Sequence, residues 1–297
     1  MKILITGAGG QLGRDLVRVL GRRHDCAAFT RQQLDIADEK AVRRLIAEAK
    51  PEAIVHAAAY TKVDQAEAEP EETYRINAIG ASHVAISAEA LGAKMVYVST
   101  DYVFDGAKGE PYDEQDRTNP LSVYGKSKLL GEQLVQAVCP RHFIVRTSWL
   151  YGKDGNNFVT KVLSLAERQQ ELTVVDDQYG SPTYTYDLAE CIGGLLETDR
   201  CGIYHVANRG YCSRWALAKT ILELTGHTGI AVRPARSDDY ALPAPRPAHS
   251  AFSDRGLRLA GLPRMRDWKT ALEAFLRNDW GKANENGDRR SPIEAAG

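Results

Sequence analysis

The stretch Met1-Lys2-Ile3-Leu4-Ile5-Thr6-Gly7-Ala8-Gly9-Gly10-Gln11-Leu12-Gly13 decides the fold. Ile3-Leu4-Ile5 is a short buried strand, and a glycine turn follows it directly. Beyond the turn, Leu12, Leu16, Val19 and Leu20 recur at helical spacing on one side. Strand, glycine turn and helix in that order make a site for a pyrophosphate. Gly7 permits the tight turn, Gly10 lets backbone approach the anion, and Gly13 lets the helix lie close on the sheet. The helix N-terminus, with Gln11 and Leu12 in its first turn, offers free N–H groups to the negative charge.

Working outward, short apolar runs alternate with helical patterns. After the first strand come Cys26–Phe29, Ala53–His56, Met95–Val98 and Phe143–Val145, with Leu172–Val175 as a sixth. This alternation predicts an α/β fold: a Rossmann-type doubly wound parallel sheet, covered by helices on both faces. After about residue 150 the punctuation changes. Gly152, Gly155, Gly180-Ser181-Pro182 and the proline-rich run from Pro234 to Pro247 break the pattern into shorter pieces. The expected organisation is a nucleotide-binding domain over 1–150, to which later segments return, and a smaller C-terminal substrate-binding lobe over 151–280. Trp268, Leu272, Phe275 and Leu276 predict a helix closing that lobe. Residues 281–297 are almost devoid of apolar side chains and are expected to form a disordered tail.

Composition narrows the class. Of 297 residues 43% are hydrophobic and 26% charged, with a net charge of -1, so no nucleic-acid or membrane partner is expected. The five cysteines contain no C-x-x-C pair and predict neither a disulfide framework nor a zinc site; no metal is assigned. The first strand starts too close to Met1 for a secretory signal, and no apolar run reaches the roughly 18 residues of a membrane helix. A cytoplasmic location follows as an expectation.

The second strand ends Phe29-Thr30-Arg31, without the carboxylate that would bind a ribose diol and repel a 2′-phosphate. Arg31 can pair with that phosphate, so NADPH is favoured and NADH stays open. Leu34-Asp35-Ile36 is similar to a segment that lies against the adenine in a reductase family, which implies that Asp35 accepts from the adenine amino group with Ile36 beside it. The third strand runs into Ala57-Ala58-Ala59-Tyr60-Thr61, whose small side chains let backbone lie along the cofactor.

Tyr124 and Lys128, four residues apart in a helical stretch, share a face. A phenol titrates near 10, and an ammonium beside it together with an oxidised nicotinamide would lower that value. In the reductive direction Tyr124 gives its proton to the new alkoxide. Val98-Ser99-Thr100-Asp101 ends the fourth strand at the carboxyl edge of the sheet, where open α/β folds place ligands, and Thr100 can hydrogen-bond a substrate carbonyl. The predicted catalytic set is Thr100, Tyr124 and Lys128.

The spacing Gly7-x-x-Gly10-x-x-Gly13 resembles that of the extended short-chain dehydrogenase/reductase family. Within it the chain is similar to the dTDP-4-dehydrorhamnose reductases. The similarity rests on 58–67, 99–106, Arg146–Gly152, Gly180–Thr183 and Arg246-Pro247, and runs to about residue 277. The resemblance implies NADPH-dependent reduction of the 4-keto group of dTDP-4-dehydro-6-deoxy-L-mannose to dTDP-L-rhamnose. Thr100, Asp101, Tyr102, Tyr124 and Trp149 would face the sugar, Lys128 the nicotinamide ribose, and Asn77 would lie in a helix behind the site. A homodimer is an allowed assembly. Sugar-nucleotide 4,6-dehydratases carry Asp-Glu after the threonine, whereas Tyr102 follows Asp101 here, which favours reduction over elimination. Other 4-ketoreductases, a 4-epimerase, and a regulatory subunit like that of methionine adenosyltransferase remain alternatives.

Overall fold

The computed structural model describes residues 1–280; the tail expected to be disordered lies outside them. Strands β1 (Lys2–Thr6), β2 (Asp25–Phe29), β3 (Ala53–His56), β4 (Lys94–Thr100) and β5 (His142–Thr147) join a sixth, Gly202–His205, in one sheet. The order is Gly202–His205, β5, β4, β3, β1, β2, and every pairing is parallel. Sequence order reverses between β1 and β3, which leaves a crevice at their carboxyl ends.

Both faces of the sheet are buried, as a parallel sheet requires. On one face Ile3, Ile5, Val55, Val96 and Val145 pack with Leu12, Leu16, Val19 and Leu20 of α1 (Gln11–Leu20) and with Leu188, Ile192 and Leu195 of the helix Thr185–Leu196. On the other, Leu4, Ile54, Met95, Tyr97 and Ile144 meet Val42 and Ile46 of α2 (Glu39–Ala49), Val84 and Ala88 of the helix Ala81–Ala90, and Val135. Alternation along each strand sends successive side chains to opposite cores.

One strand assignment is corrected. Glu171–Val175 does not enter the main sheet; it pairs in parallel with Ala231–Ala235 as a separate two-stranded ribbon. Its outward positions Glu171 and Thr173 stay exposed, so the ribbon needs cover on one face only. Gly202-Ile203-Tyr204-His205 takes the sheet edge instead, hydrogen-bonded to β5.

A further apolar cluster gathers Tyr151, Val159, Leu163, Leu172, Tyr184, Leu217, Ile221, Trp268, Leu272 and Phe275. The helix Trp268–Phe275 closes it as expected. By contrast Leu188–Leu196, Tyr204, Leu257 and Met265 pack on the sheet, so chain beyond residue 150 contributes to both regions.

Candidate active site

A cavity of about 880 Å³ opens at the carboxyl edge of the sheet. Every site residue predicted from the sequence lines it. At one end are Gly7, Gly10, Gln11, Leu12, Gly13, Arg31, Asp35, Ile36, Ala59, Tyr60 and Thr61, and at the other Thr100, Asp101, Tyr102, Tyr124, Lys128 and Trp149.

The glycine turn is closed so tightly that side chains are excluded. Gly7 has φ +71°, and a Cβ there would stand 2.6 Å from the Ala58 nitrogen. At Gly13 a Cβ would stand 2.1 Å from the Gly7 carbonyl oxygen, so α1 touches the turn through bare backbone. Gly10 differs: its φ is -77°, and a Cβ would lie 3.3 Å from that same oxygen. The turn thus asks less for glycine at 10 than at 7 or 13, since a Cβ there would need only a few tenths of an ångström of give, and the bare position leaves the helix N-terminus open to a ligand. As N-cap, Gly10 supplies no side-chain acceptor to the first turn. The free N–H groups, the positive helix end and the side-chain-free cradle together fit a dinucleotide pyrophosphate.

Beside the cradle, Asn77 clips the Ala57–Thr61 loop to the helix Val123–Val138. Its Oδ1 accepts from the Tyr60 N–H at 2.8 Å, while Nδ2 donates to the Tyr60 carbonyl and to Ser127 Oγ, both at 3.0 Å. Asn77 lies in a π-helical turn, Arg75–Gly80, a departure from α geometry of the kind found at functional sites. Arg31 stands at the rim with 73% of its side chain exposed, 3.7 Å from Glu72.

At the deeper end, the helix Val123–Val138 begins under a Ser122 cap, whose Oγ accepts from the Gly125 N–H at 3.1 Å. That start fixes where Tyr124 and Lys128 emerge. Lys128 is buried; its Nζ donates to the Val98 carbonyl at 2.7 Å and lies 4.0 Å from the Tyr97 ring centroid. Withdrawal from water lowers the ammonium to about 7, against a smaller opposing effect of Glu132. Withdrawal from water also governs Tyr124. It holds the phenol well above its ordinary value, with hydrogen bonding to Thr100 pulling the other way and Asp101 and Tyr102 adding to the rise. The lowering expected from the Lys128 ammonium does not enter this balance; desolvation decides it, and Tyr124 keeps its proton at neutral pH.

Thr100 Oγ1 donates to Asp101 Oδ1 at 3.1 Å and accepts from the Tyr102 N–H at 3.2 Å. Asp101 is buried, and its other oxygen accepts from Ser250 at 2.6 Å. Burial raises its carboxyl to about 6 against these two hydrogen bonds. Behind them Arg146 and Glu132 form a buried pair, with 2.6 Å between Nη2 and Oε2, and Glu132 accepts from Ser99 at 2.5 Å. The ends of β4 and β5 are tied by this network to the helix that carries Tyr124 and Lys128.

Trp149 occupies a left-handed backbone conformation, φ +47°, which a bulky residue adopts only when its surroundings impose it. The surroundings are specific. The Arg214 guanidinium carbon lies 3.6 Å from the Trp149 ring centroid, and a Cβ on Gly180 would come within 2.4 Å of Cε2. Arg214 was not foreseen from the sequence, nor were Ser148, Gly155 and Asn156, which also line the cavity. A lone arginine opening a helix carries no motif.

Among the described residues no group of three or more His, Cys, Asp and Glu side chains could hold a metal, and no helix is long and apolar enough to cross a membrane.

Comparison with known proteins gives this geometry its relatives. The chain is 45% identical over 276 residues to the spore coat polysaccharide biosynthesis protein SpsK of Bacillus subtilis, covering 93% of this chain and 96% of that protein. It is 43% identical over 282 residues to the dTDP-4-dehydrorhamnose reductase of Mycobacterium tuberculosis H37Rv, with 93% and 92% covered. Among solved structures, dTDP-4-dehydrorhamnose reductase from Bacillus anthracis in complex with NADP superposes with a TM-score of 0.91 at 45% identity, covering 93% of this chain and 98% of that one. The UDP-glucose 4-epimerase of Thermus thermophilus, 22% identical with a TM-score of 0.79, shares the fold. The model of the RmlD substrate binding domain matches residues 1–280, and the chain belongs to that family.

Proposed function

We propose that the protein reduces the 4-keto group of dTDP-4-dehydro-6-deoxy-L-mannose to give dTDP-L-rhamnose, with NADPH as the reductant. The observation that carries this reading is the convergence of Tyr124, Thr100 and Lys128 in the cavity that also contains the glycine cradle. The names of the relatives at 42–45% identity support the substrate, and the NADP bound to the Bacillus anthracis protein supports the cofactor. Gly7, Gly10, Gln11, Leu12 and Gly13 would hold the pyrophosphate, Asp35 and Ile36 the adenosine, Arg31 the 2′-phosphate, and Ala59, Tyr60 and Thr61 the nicotinamide half. Bound there, the cofactor supplies the hydride.

The chain's own groups do the rest. Thr100 and Tyr124 orient the keto oxygen between two hydroxyls. Tyr124, kept protonated by its dry surroundings, gives its proton to that oxygen as charge develops on it, and Lys128 fixes the ribose side of the site. Trp149, Asp101 and Tyr102 bound the sugar. Catalysis takes place in the cytoplasm, with residues 1–150 mainly binding cofactor and 151–280 mainly shaping the substrate side; a homodimer is the assembly considered.

The test mixes the protein with NADPH and a dTDP-4-keto-6-deoxyhexose generated in situ, follows loss of NADPH absorbance and identifies the product by NMR. NADPH consumption with formation of a 6-deoxyhexose reduced at C4 is expected. Tight retention of NAD through purification, with isomerisation and no net oxidation, would replace this reading by epimerisation. Absence of turnover together with co-purification of methionine adenosyltransferase would replace it by a regulatory role.

A further inference from the structure

Arg214 opens the helix Arg214–Leu224, lines the cavity beside Trp149 and Tyr102, and makes no side-chain hydrogen bond or ion pair among the described residues. What holds it is aromatic: its guanidinium carbon is 3.6 Å from the Trp149 ring centroid and 5.1 Å from that of Phe158. Stacking occupies the flat face of a guanidinium and leaves its in-plane N–H donors free. Partial withdrawal from water lowers the group to about 10, so it stays charged at neutral pH and presents its unpaired donors to the cavity.

The other cations near this end of the cavity are committed. Arg246 makes a two-point pair with Asp64 at 2.7 and 2.6 Å and also donates to the Ala244 carbonyl at 2.5 Å. Lys128 is anchored by the Val98 carbonyl and serves the ribose side of the cavity. Asp101, the carboxylate nearest in charge to Arg214, has its oxygens taken by Thr100 and Ser250. An anion brought by the ligand is the partner that would satisfy Arg214.

We infer that Arg214 binds the diphosphate of the nucleotide-sugar substrate, gripping it with in-plane N–H donors while Trp149 backs the guanidinium. This rests on the reading of the site as one for a nucleotide sugar, and adds to it the group that selects a diphosphate over an uncharged glycoside. Arg214 is thereby a substrate-binding residue, and its loss is felt in KM more than in kcat.

The test titrates dTDP and, separately, thymidine into protein saturated with NADPH, comparing wild type, Arg214→Met and Arg214→Lys by calorimetry. Met keeps the length and the contact with Trp149 but removes charge and donors. A two-point charge-assisted contact predicts that Arg214→Met weakens dTDP roughly 10- to 150-fold, leaves thymidine and NADPH unchanged, and raises KM while kcat changes less than about threefold. Arg214→Lys should fall between. Equal dTDP affinity in wild type and Arg214→Met would overturn the inference while leaving the nucleotide-sugar reading intact. If Arg214→Met also lost NADPH, Arg214→Lys decides: intact NADPH binding with weakened dTDP supports the assignment, and intact binding of both overturns it. Wild type that binds NADPH but no dTDP would remove the nucleotide-sugar reading and this inference with it.

Discussion

The ring of Tyr102 meets that of Tyr124 edge-on, with 5.5 Å between centroids and 76° between planes. The residue standing where a dehydratase would place glutamate is therefore packed on the proposed proton donor itself. Both phenols are partly withdrawn from water beside Asp101, and Tyr102 is pushed up to about 12, chiefly by that withdrawal and then by Asp101. The contact holds the Tyr124 hydroxyl in place and keeps a second carboxylate away from it.

Replacing Tyr102 by glutamate should accordingly cost reduction without conferring elimination. The new carboxylate would lie beside Asp101, already raised to about 6, and repulsion would raise one or both further. Reductase turnover of Tyr102→Glu is expected to fall at least about tenfold, with no 4-keto-6-deoxyglucose formed from dTDP-glucose by either protein. Detecting that product with the wild type, above a Tyr124→Phe control, would place the enzyme among the dehydratases.

Tyr124→Phe removes the proton and leaves the ring contact. The expected loss in kcat is about 10²–10⁴-fold, with the Kd for NADPH nearly unchanged, because the cradle at Gly7 to Gly13 is untouched. A loss smaller than about tenfold would mean that another group delivers the proton.

Arg31 is a softer case. With 73% of its side chain in water and Glu72 3.7 Å away, it contributes less than a buried phosphate contact would. Arg31→Ala should raise KM for NADPH by about 3- to 10-fold and leave KM for NADH alone, since an exposed charge-assisted bond lies at the low end of its range. Equal changes for both cofactors would show that Arg31 does not read the 2′-phosphate.

The glycines separate folding from binding. Gly13→Ala drives a methyl to 2.1 Å from a backbone oxygen that cannot turn away, so a lower Tm and loss of NADPH binding are expected together. Gly10→Ala meets that oxygen at 3.3 Å in an ordinary backbone conformation. Its Tm should move by no more than a few degrees while NADPH binding weakens, as thermal unfolding with and without cofactor would show. A large fall in Tm for Gly10→Ala would mean that glycine is needed there for the turn and not for a ligand.

The first five strands, α1 and the Tyr124–Lys128 helix were legible because each carries a periodic pattern or a motif that one mechanism requires. Leu172–Val175 misled because a run of branched side chains looks the same in a main sheet as in a two-stranded ribbon covered on one face. Gly202–His205 was passed over because its burial comes from what covers the sheet edge, Leu257 and Met265 among others, and not from its own composition. In the site, Tyr124, Lys128, Thr100 and the glycines announced themselves. Arg214 and Ser250 did not, since Arg214 reaches the cavity by contact with Trp149 and Ser250 acts on it from behind through Asp101, both across long sequence separations. The phenol's protonation was likewise invisible, because desolvation is a property of the packed site and not of spacing.

The sheet's last strand comes late in the chain. Until Gly202–His205 has been synthesised and has docked, β5 presents a row of unpaired N–H and C=O groups from His142 to Thr147, the stretch that also carries one half of the buried Arg146–Glu132 pair. A nascent or truncated chain ending near residue 150 would hold only about half of the buried hydrophobic residues and would be sticky at one edge and on the sheet face that Leu188–Leu196 covers, ready to add a strand from a neighbour. Shortening the protein to residues 1–150 is therefore a route to aggregates, and a chaperone acting during synthesis would be needed longest in the interval between β5 and residue 205.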